Sequence, residues 1–466
     1  MTTSTCSDTQ PTQQLAAFAA GLRYRDLPLE VVRKTKDCVL DALGCMLLGS
    51  TLPWTRIVTD MVVEQGAMPQ AIIVGTSHRT SASQAVLVNA TAGHAFELDD
   101  AHTRASVHAG SVNVATALAI GEWLGGVSGE EFITAIVAGY ETALRIGIAG
   151  AGNIFRRGFH SAAVCGVFAG AATASRLLKL DARQTQHAFG IAGSQAAGLM
   201  AAQEGAMVKR LHSGRAAQSG VYGALLARRG FTGIPDVLEA PFGGFFSAMT
   251  DRNEPQALTA GLGAQWETLA VGFKGYATAG AIHASVWALD DIMREQALRA
   301  EDIGEIAVRC TSYCYQHVGW TYAPRGVAAA QLNLYYALAV IALDRAAMIE
   351  QFREERLDDP RILAFIPRIR VMVEPRYDAL GNSFRYALHM TVRTTNGTTL
   401  EREIMQRPGS PQNPMSAAQL RDKFALLARY ALTQPQIDRV MTVVEELEQL
   451  PSVVPLARAL IGNDER

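Results

Sequence analysis

The chain has 466 residues, of which 49% are hydrophobic and 18% are charged, and its formal net charge is −2 at pH 7. This composition is typical of a large globular core and excludes a disordered chain. Lysine and arginine are spread along the chain without a basic block, so we expect no nucleic-acid partner. The length indicates about two to three domains.

The first residues and the cysteines bear on where the protein works. The N-terminal stretch MTTSTCSDTQPTQQ is polar and lacks the basic and apolar regions of a signal peptide. No run of about 18 uninterrupted apolar residues is present, so we expect no membrane span. The cysteines show no zinc-site spacing, and we expect Cys310 and Cys314 to be packed thiols. These features predict a soluble cytoplasmic protein with reduced thiols.

The chain up to residue 271 is predicted to form an all-helical domain. Apolar residues recur at three- and four-residue steps, or small residues cover several faces, in the segments 27–50, 80–100, 110–126, 128–150, 161–180 and 215–230. The segment SGEEF begins with Ser128 and continues with acidic residues, which is typical of a helix start. Because small residues lie on several faces, we expect these helices to be buried among other helices.

The residue pattern changes near Gly272. Alternating residues rich in Val, Thr and Tyr predict strands within 303–316, 368–377 and 384–404, and Asn396-Gly397 predicts a two-residue hairpin turn. The apolar segment 328–344 between them predicts a helix. We therefore predict a smaller α+β domain over 272–405, with the helical segments of 406–466 completing the domain formed by 1–271. The predicted fold class is mainly α.

Two familiar kinds of ligand site are disfavoured by their spacing. The segment GIAGAGNIFRRG fails the dinucleotide pattern GxGxxG, because Phe155 stands where the third glycine belongs. Asp99, His102 and His108 are possible metal donors, but their spacing matches neither HExxH nor an EF-hand loop. We therefore expect neither a bound dinucleotide nor a metal.

Four separate segments place ionisable side chains beside glycine and other small residues. HAFELDDAHTRASVHAGS, residues 94–111, holds three histidines, three carboxylates and an arginine, and the other segments are RRGFHSAAVCG, GAMVKRLHSGRAA and FKGYATAGAIHA. Taken singly, a histidine at a helix start is usually a cap, and a lysine is usually solvated. Together the segments offer the groups needed to bind carboxylates and to move a proton.

The chain resembles the MmgE/PrpD family nearly from end to end. The strongest pieces are NATAGHAFELDDAHTRASVHAGS, FHSAAVCGVFAGAATASRLLKLD, GAMVKRLHSGRAAQSGVYGALLARRGFTG and FKGYATAGAIHASVWALDDI. The family contains 2-methylcitrate dehydratase, cis-aconitate decarboxylase and iminodisuccinate epimerase. The resemblance implies an enzyme that acts on small di- or tricarboxylates without a metal or organic cofactor. It also implies a large helical domain with a smaller α+β lid, and a homodimer.

The resemblance also implies roles for individual residues. It nominates four catalytic residues, His108, His160, Lys209 and Lys274. Six further residues are predicted to contact or orient the substrate: Asp99, Asp100, His102, Arg104, His212 and Tyr276. We assign the two histidines as a base and acid pair in unknown order, because the imidazole pKa lies near neutrality. The lysines are expected to bind and polarise carboxylates as compact cations.

Two positions depart from the family pattern and bear on the reaction. Glu97 stands where many members have Asp, and Ala101 stands where many have Thr directly after the Asp pair. That Thr belongs to the substrate site in the decarboxylases, so Ala101 argues against cis-aconitate decarboxylation. The step shared by the family is proton transfer at a carbon next to a carboxylate. We therefore predict a hydro-lyase similar to 2-methylcitrate dehydratase, with an epimerase, a decarboxylase or a non-catalytic small-acid binder as alternatives.

Overall fold

The computed structural model describes residues 10–150 and 152–462. The polar N-terminal stretch up to residue 9, which includes Cys6, and Ala151 of the glycine-rich segment lie outside the described residues. The helices are α1 Pro11–Gly21, α2 Leu29–Ser50, α3 Pro53–Gln65, α4 Ala82–Gly93, α5 Gly110–Leu124, α6 Gly129–Ala149, α7 Asn153–Arg156, α8 Ser161–Leu177, α9 Ala182–Gly193, α10 Val208–Arg228, α11 Phe245–Met249, α12 His283–Glu295, α13 Ser312–Val318, α14 Val327–Gln331, α15 Leu334–Asp344, α16 Pro360–Phe365, α17 Pro375–Asp378, α18 Ala417–Ala428, α19 Gln434–Glu445 and α20 Val454–Ala459. The strands are β1 Ala71–Ile72, β2 Arg79–Thr80, β3 Ala101–His102, β4 Val271–Gly272, β5 Ile303–Cys310, β6 Ile369–Val373, β7 Leu388–Thr394 and β8 Thr399–Ile404.

The larger hydrophobic core lies among the N-terminal helices. Helix α8 lies against α6 and α10, and small residues let these helices approach closely. A Cβ added at Gly220 would lie 2.4 Å from the backbone nitrogen of Ala171, and one at Gly170 would lie 3.0 Å from the carbonyl oxygen of Ala217. Any larger side chain at these two positions would therefore push the helices apart. This packing explains why small residues on several faces mark buried helices in this chain.

The C-terminal helices pack on the same core. Helix α18 lies against α2, and α20 lies against α5. Two polar contacts of Lys423, on α18, accompany the apolar packing. Its Nζ donates to Asp41 Oδ1 at 2.6 Å and to the carbonyl of Leu98 at 2.6 Å. Lys423 and Asp41 are both buried. Helix α18 is thereby joined to the loop between α4 and α5, residues 94–109, which we call the acidic loop.

A second hydrophobic core lies under a four-stranded sheet of order β6-β5-β7-β8. Strand β6 is parallel to β5, and the other pairs are antiparallel. The strand prediction for 303–316 is wrong beyond Cys310, because Thr311 accepts a hydrogen bond from the backbone N–H of Cys314 and starts α13. Both cysteines are buried free thiols, as expected.

Two local predictions differ from the structure in detail. The helix predicted over 328–344 is interrupted, because the Asn333 side chain accepts from the N–H of Tyr336 and caps a new helix, α15. The hairpin at Asn396-Gly397 is present, but its turn has three residues, since the N–H of Thr394 donates to the carbonyl of Thr398 at 2.9 Å. Only Gly397 has a positive φ, 91°, in this turn.

Helix α6 has the length and apolar composition of a membrane span, but its apolar window is wholly buried inside the described structure. Its polar side chains are satisfied by protein groups. Glu141 accepts from the backbone N–H of Thr268 at 2.8 Å, and Arg145 donates to the carbonyls of Ala260 and Gln265 at 2.7 Å each. These contacts are typical of a core helix.

The mainly α fold class is confirmed, since helices dominate the described residues and the sheets are small. The division into domains at 271/272 and 405/406 stays a prediction. The two hydrophobic cores meet at the acidic loop, where Phe96 and Leu98 belong to the second core although they follow α4 of the first. The acidic loop is therefore part of the boundary between the two cores.

Removing the buried cation of α18 is expected to destabilise the fold. In a Lys423→Met variant, Asp41 would stay buried without its partner, which costs about 3–5 kcal/mol for a broken buried pair. Chemical denaturation should report this loss in the free energy of unfolding. The matched control is Lys36→Met, which breaks a partly exposed bridge to Glu448 and should cost about 0–1 kcal/mol. Equal losses in the two variants would contradict the account.

Candidate active site

A cavity lies where side chains of the two cores face each other. Its polar lining from the N-terminal helices and loops is Glu97, His102, Ser106, His108, His160, Ser161 and Lys209. The lining from the C-terminal part is Tyr313, His317, Arg385 and Tyr386, with Ala279, Gly280 and Ala281. The cavity therefore combines imidazoles, cations and hydroxyls from segments that are far apart in the chain.

The loop between α4 and α5 has a strained backbone where it meets the cavity. Glu97 has a φ of 56° and Ser106 a φ of 57°, a region that non-glycine residues seldom occupy. Between them, β3 pairs with β4, so Ala101 lies opposite Gly272. This pairing brings the segment with Lys274 alongside the acidic loop.

The Glu97 carboxylate is surrounded by three cations. Its Oε1 accepts from Lys209 Nζ and from Arg210 Nη1, both at 2.5 Å, and its Oε2 lies 3.5 Å from Lys274 Nζ. Burial raises the pKa of Glu97, but Lys209, Lys274 and Arg210 outweigh burial and hold this pKa well below its usual value. Glu97 is therefore ionised, and it neutralises only part of the positive charge around it.

Asp99 links the cations to the imidazoles. Its Oδ1 accepts from Lys274 Nζ at 3.2 Å, and its Oδ2 lies 2.6 Å from His94 Nδ1. Burial raises the pKa of Asp99, but Lys274 and the imidazoles of His94 and His108 bring it well below the usual value. Since an ionised Asp99 only accepts, His94 carries its proton on Nδ1. The Nε2 of His94 has no hydrogen-bond partner among the described residues.

His108 has a defined tautomer because its partner is a backbone carbonyl. Its Nδ1 lies 2.5 Å from the carbonyl oxygen of Asp100, which can only accept, so Nδ1 carries the proton. Burial lowers the pKa of His108 to about 3, helped by the nearby Lys274. A neutral imidazole in this tautomer has its lone pair on Nε2, which suits a general base.

His160 pairs with His212 through their Nδ1 atoms, which are 3.0 Å apart. One of the two must donate, so the tautomer of His212 decides whether His160 carries its proton on Nδ1 or on Nε2. Burial lowers the pKa of both residues, that of His212 to about 4. The His94 ring lies between the two predicted catalytic histidines, 5.7 Å from the His108 ring and 5.3 Å from the His160 ring.

The predicted site residues divide into those that line the cavity and those that lie behind it. His102, His108, His160 and Lys209 line it. Lys274, Asp99, Asp100 and Tyr276 do not; Lys274 is fully buried against two carboxylates, and Tyr276 packs on the His283 ring. His212 faces a separate, mainly apolar cavity, and Arg104 faces an outer cavity. Direct contacts between these six residues and the substrate stay predictions. Lys274 and the two aspartates lie behind the cavity, where they can hold the lining residues in position.

Several residues at the site are absent from the sequence-based predictions. His94 is the first residue of the stretch 94–111, and Arg210 directly follows Lys209. Because both lie next to predicted site residues in the chain, the sequence offered a signal that could have identified them. Tyr313, His317 and Arg385 come from segments read only as strand or strand flank, and nothing in their pattern distinguishes them from structural residues.

No group of three or more His, Cys, Asp or Glu side chains suited to a metal occurs within residues 10–150 and 152–462. The donors weighed from the sequence are instead engaged elsewhere: Asp99 binds Lys274, and His102 Nε2 lies 3.2 Å from Glu267. Metal independence stays a prediction, because activity without a divalent ion has to be measured.

Asp100 is buried behind the cavity and gives the fold a distinctive pH dependence. Its Oδ2 accepts from the hydroxyl of Tyr140 at 2.6 Å and its Oδ1 from the N–H of Gly110 at 3.1 Å. Burial raises the pKa of Asp100 to about 7, even though the Tyr140 hydrogen bond lowers it. Folded chains therefore keep a proton that unfolded chains lose near pH 4, and this contribution to stability is lost as the pH rises towards 7.

An Asp100→Asn variant should remove that dependence. The free energy of unfolding of the unmodified chain, measured relative to the variant, should decrease between pH 5 and pH 8. Asp359→Asn is the matched control, because hydrogen bonding to Arg361 lowers the pKa of Asp359 and keeps it ionised throughout this range. A constant difference for Asp100→Asn across the range would show that Asp100 is ionised in the folded chain.

The chain matches known proteins over most of its length. Residues 13–258 match the MmgE/PrpD N-terminal domain, and residues 276–449 match the MmgE/PrpD C-terminal domain. A cis-aconitate decarboxylase-like protein of Aspergillus oryzae is 30% identical over 98% of this chain and 100% of its own length. Cis-aconitate decarboxylases of Aspergillus terreus and Mus musculus are 29% and 26% identical, over 96% and 97% of this chain and 95% and 93% of their own lengths.

These relatives confirm the predicted enzyme class, because decarboxylases are lyases. They do not support the finer prediction of a 2-methylcitrate dehydratase, and they favour the decarboxylase alternative instead. The two matched domains together span most of the described residues. The chain belongs to the MmgE/PrpD family.

Proposed function

We propose that the chain catalyses the cofactor-independent decarboxylation of cis-aconitate or a closely similar tricarboxylate. The observation that carries the proposal is an excess of buried positive charge at the cavity. Among the described residues there, the buried cations are Lys209, Arg210, Lys274 and Arg385, and the ionised carboxylates are Glu97 and Asp99. Uncompensated buried charge is costly, so the site is suited to a ligand that brings several negative charges.

This proposal replaces the hydro-lyase prediction. Ala101 lines the cavity, and its lack of a hydroxyl was expected to argue against decarboxylation. The relatives named cis-aconitate decarboxylases align over nearly their whole lengths and outweigh an argument from one side chain. In this chain, nearby hydroxyls of the cavity, such as those of Ser106 and Ser161, are available to contact the substrate in place of the missing threonine.

The chemistry requires electrostatic stabilisation and one proton. The bond from carbon to the leaving carboxylate breaks, CO2 departs, and the electron pair moves through the adjacent double bond towards a carbon that bears another carboxylate. Lys209 lines the cavity as an ammonium and stabilises the charge that spreads into this carboxylate. A proton from an imidazole then adds to that carbon, and solvent restores the proton to the enzyme.

Substrate binding itself raises the pKa of the imidazole that serves as the acid. In the empty site burial holds the pKa of His108 to about 3 and lowers the pKa of His160 well below its usual value, so both imidazoles are neutral. A bound polycarboxylate places negative charge beside them, which raises their pKa. We assign His160 as the proton donor: once its pKa has risen and it has taken up a proton from solvent, its Nδ1–H can donate to His212 Nδ1, and its Nε2–H is left for the substrate. His108, neutral with its lone pair on Nε2, would act as the base that accepts a proton from solvent when the acid is restored.

We further propose that the chain forms a homodimer in the cytoplasm. Apolar side chains are exposed at the end of α10, where Tyr222, Leu226, Phe231 and Ile234 line one shallow cavity. Such a cluster suits burial against a second copy. The five described cysteines are free, which suits a reducing compartment. The mass in solution by light scattering tests the dimer, and a monomer at micromolar concentration would count against it.

A panel of three substrates tests the reaction. The chain is expected to release CO2 from cis-aconitate and to form an unsaturated dicarboxylate, with a higher kcat/KM than for water loss from 2-methylcitrate or epimerisation of iminodisuccinate. NMR of the products distinguishes the three. Water loss without CO2 would restore the hydro-lyase prediction. Binding without turnover of any substrate would favour the small-acid binder.

Substituting either predicted catalytic histidine should affect turnover more than binding. His108→Gln and His160→Gln are expected to reduce kcat by about 10²–10⁴-fold, with a smaller change in KM, because a proton-transferring group is lost. The matched control is His187→Gln, whose ring contacts only the backbone of Gly233 and should leave kcat unchanged. If the site variants instead lose thermal stability and keep the kcat of the unmodified chain, the histidines are structural.

A further inference from the structure

Arg385 is a buried guanidinium without a carboxylate partner. Only 6% of the residue is exposed, and no Asp or Glu of the described chain lies within ion-pair distance of it. Its Nε is buried and makes no hydrogen bond with the described residues. Because an arginine stays protonated in proteins, this arrangement leaves a full positive charge and one donor unsatisfied.

Neighbouring side chains hold Arg385 in a fixed orientation. Its Nη1 donates to the hydroxyl of Ser106, and its Nη2 donates to the hydroxyl of Tyr386 at 2.6 Å. Its guanidinium carbon lies 4.7 Å from the centre of the Tyr313 ring and 4.8 Å from that of Tyr386. All four residues line the cavity. A planar cation held in this way is preorganised for a carboxylate.

A second arginine of this chain, Arg376, has a similar arrangement together with a carboxylate partner. Arg376 stacks on the tyrosine that follows it, with its guanidinium carbon 4.7 Å from the Tyr377 ring centre, and donates to the Tyr377 hydroxyl at 2.8 Å. Arg376 also donates to Glu403 at 3.0 Å, which supplies the missing negative charge. At Arg385 the described residues supply no such carboxylate, and Arg385 lines the cavity.

Arg385 is also reachable from outside. It borders an outer cavity whose lining includes Arg104, Arg156 and Arg252 together with two carboxylates, those of Glu254 and Asp378, so arginines outnumber carboxylates there. Arg156 and Arg252 are exposed and have no ion-pair partner among the described residues. An anion that enters through this outer cavity therefore meets a positive field before it reaches Arg385.

We propose that Arg385 binds a carboxylate of the substrate that does not react, and that it thereby makes the site prefer tricarboxylates to dicarboxylates. This inference rests on the proposed function, since it assigns a residue to the same substrate. Lys209 acts from the opposite core on the carboxylate where charge develops. Arg385 then binds the remaining, central carboxylate and is a specificity-determining residue.

Two unreactive ligands that differ by one carboxylate test the proposal. Propane-1,2,3-tricarboxylate and glutarate share a three-carbon chain, and titration calorimetry gives their affinities for the full chain. Arg385→Gln should weaken binding of the tricarboxylate by about 10- to 100-fold, the usual effect of losing a charge-assisted pair. Binding of glutarate should change by less than about threefold, and Arg385→Lys should restore part of the lost affinity. Arg376→Gln, the matched control, should leave both affinities unchanged.

The outcomes separate this inference from the proposed function. An unchanged tricarboxylate affinity in Arg385→Gln, or an equal fall for both ligands, would overturn the role of Arg385 while leaving the decarboxylase proposal intact. Failure of the unmodified chain to bind either ligand would contradict both. Melting temperatures of the variants identify any loss that comes from unfolding, and the ratio of the two affinities is insensitive to a fraction of inactive protein.

Discussion

The site depends on one buried carboxylate, that of Glu97, and on the three cations that converge on it. Lys209 and Arg210 come from α10, and Lys274 follows β4, so a single side chain on a strained loop joins segments that are distant in the chain. Leaving one member of a buried ion pair without its partner costs about 3–5 kcal/mol. The cost of separating these charges therefore holds the acidic loop, α10 and β4 in one arrangement.

The cluster also determines the protonation of the imidazoles. Burial and the nearby lysines lower the pKa of His108 and of His160 and so keep both neutral, although Asp99 raises the pKa of His108. A metal-free site that moves protons needs imidazoles whose pKa responds to the substrate, and a cation-rich cavity provides this response because a polyanion reverses the local field. In the proposed reaction, the polyanion that this positive charge attracts would thus prepare the acid that completes the reaction.

Sequence patterns predicted the helices and the chemistry better than the orientation of individual side chains. Periodicity and small residues located the buried helices, because those signals reflect local geometry. Alternation failed after Cys310, where the backbone N–H of Cys314 donates to the Thr311 hydroxyl oxygen and starts a helix in place of a strand. The motifs named segments whose ionisable groups lie at or behind one cavity, yet Lys274 and the aspartates do not line it, and Arg385 carried no local signal. Which side of a residue faces the cavity is set by packing between distant elements.

The central claim is that this cavity transfers a proton to or from a carbon next to a carboxylate. Turnover of cis-aconitate in deuterium oxide, followed by NMR of the product, tests it most directly, because the proposed decarboxylation adds one proton to that carbon. The account predicts one deuterium at that carbon, on one face only, and in His160→Gln a much slower formation of product whose deuterium is no longer confined to one face. A product formed at full rate without deuterium at that carbon, or with deuterium on both faces equally, would contradict it.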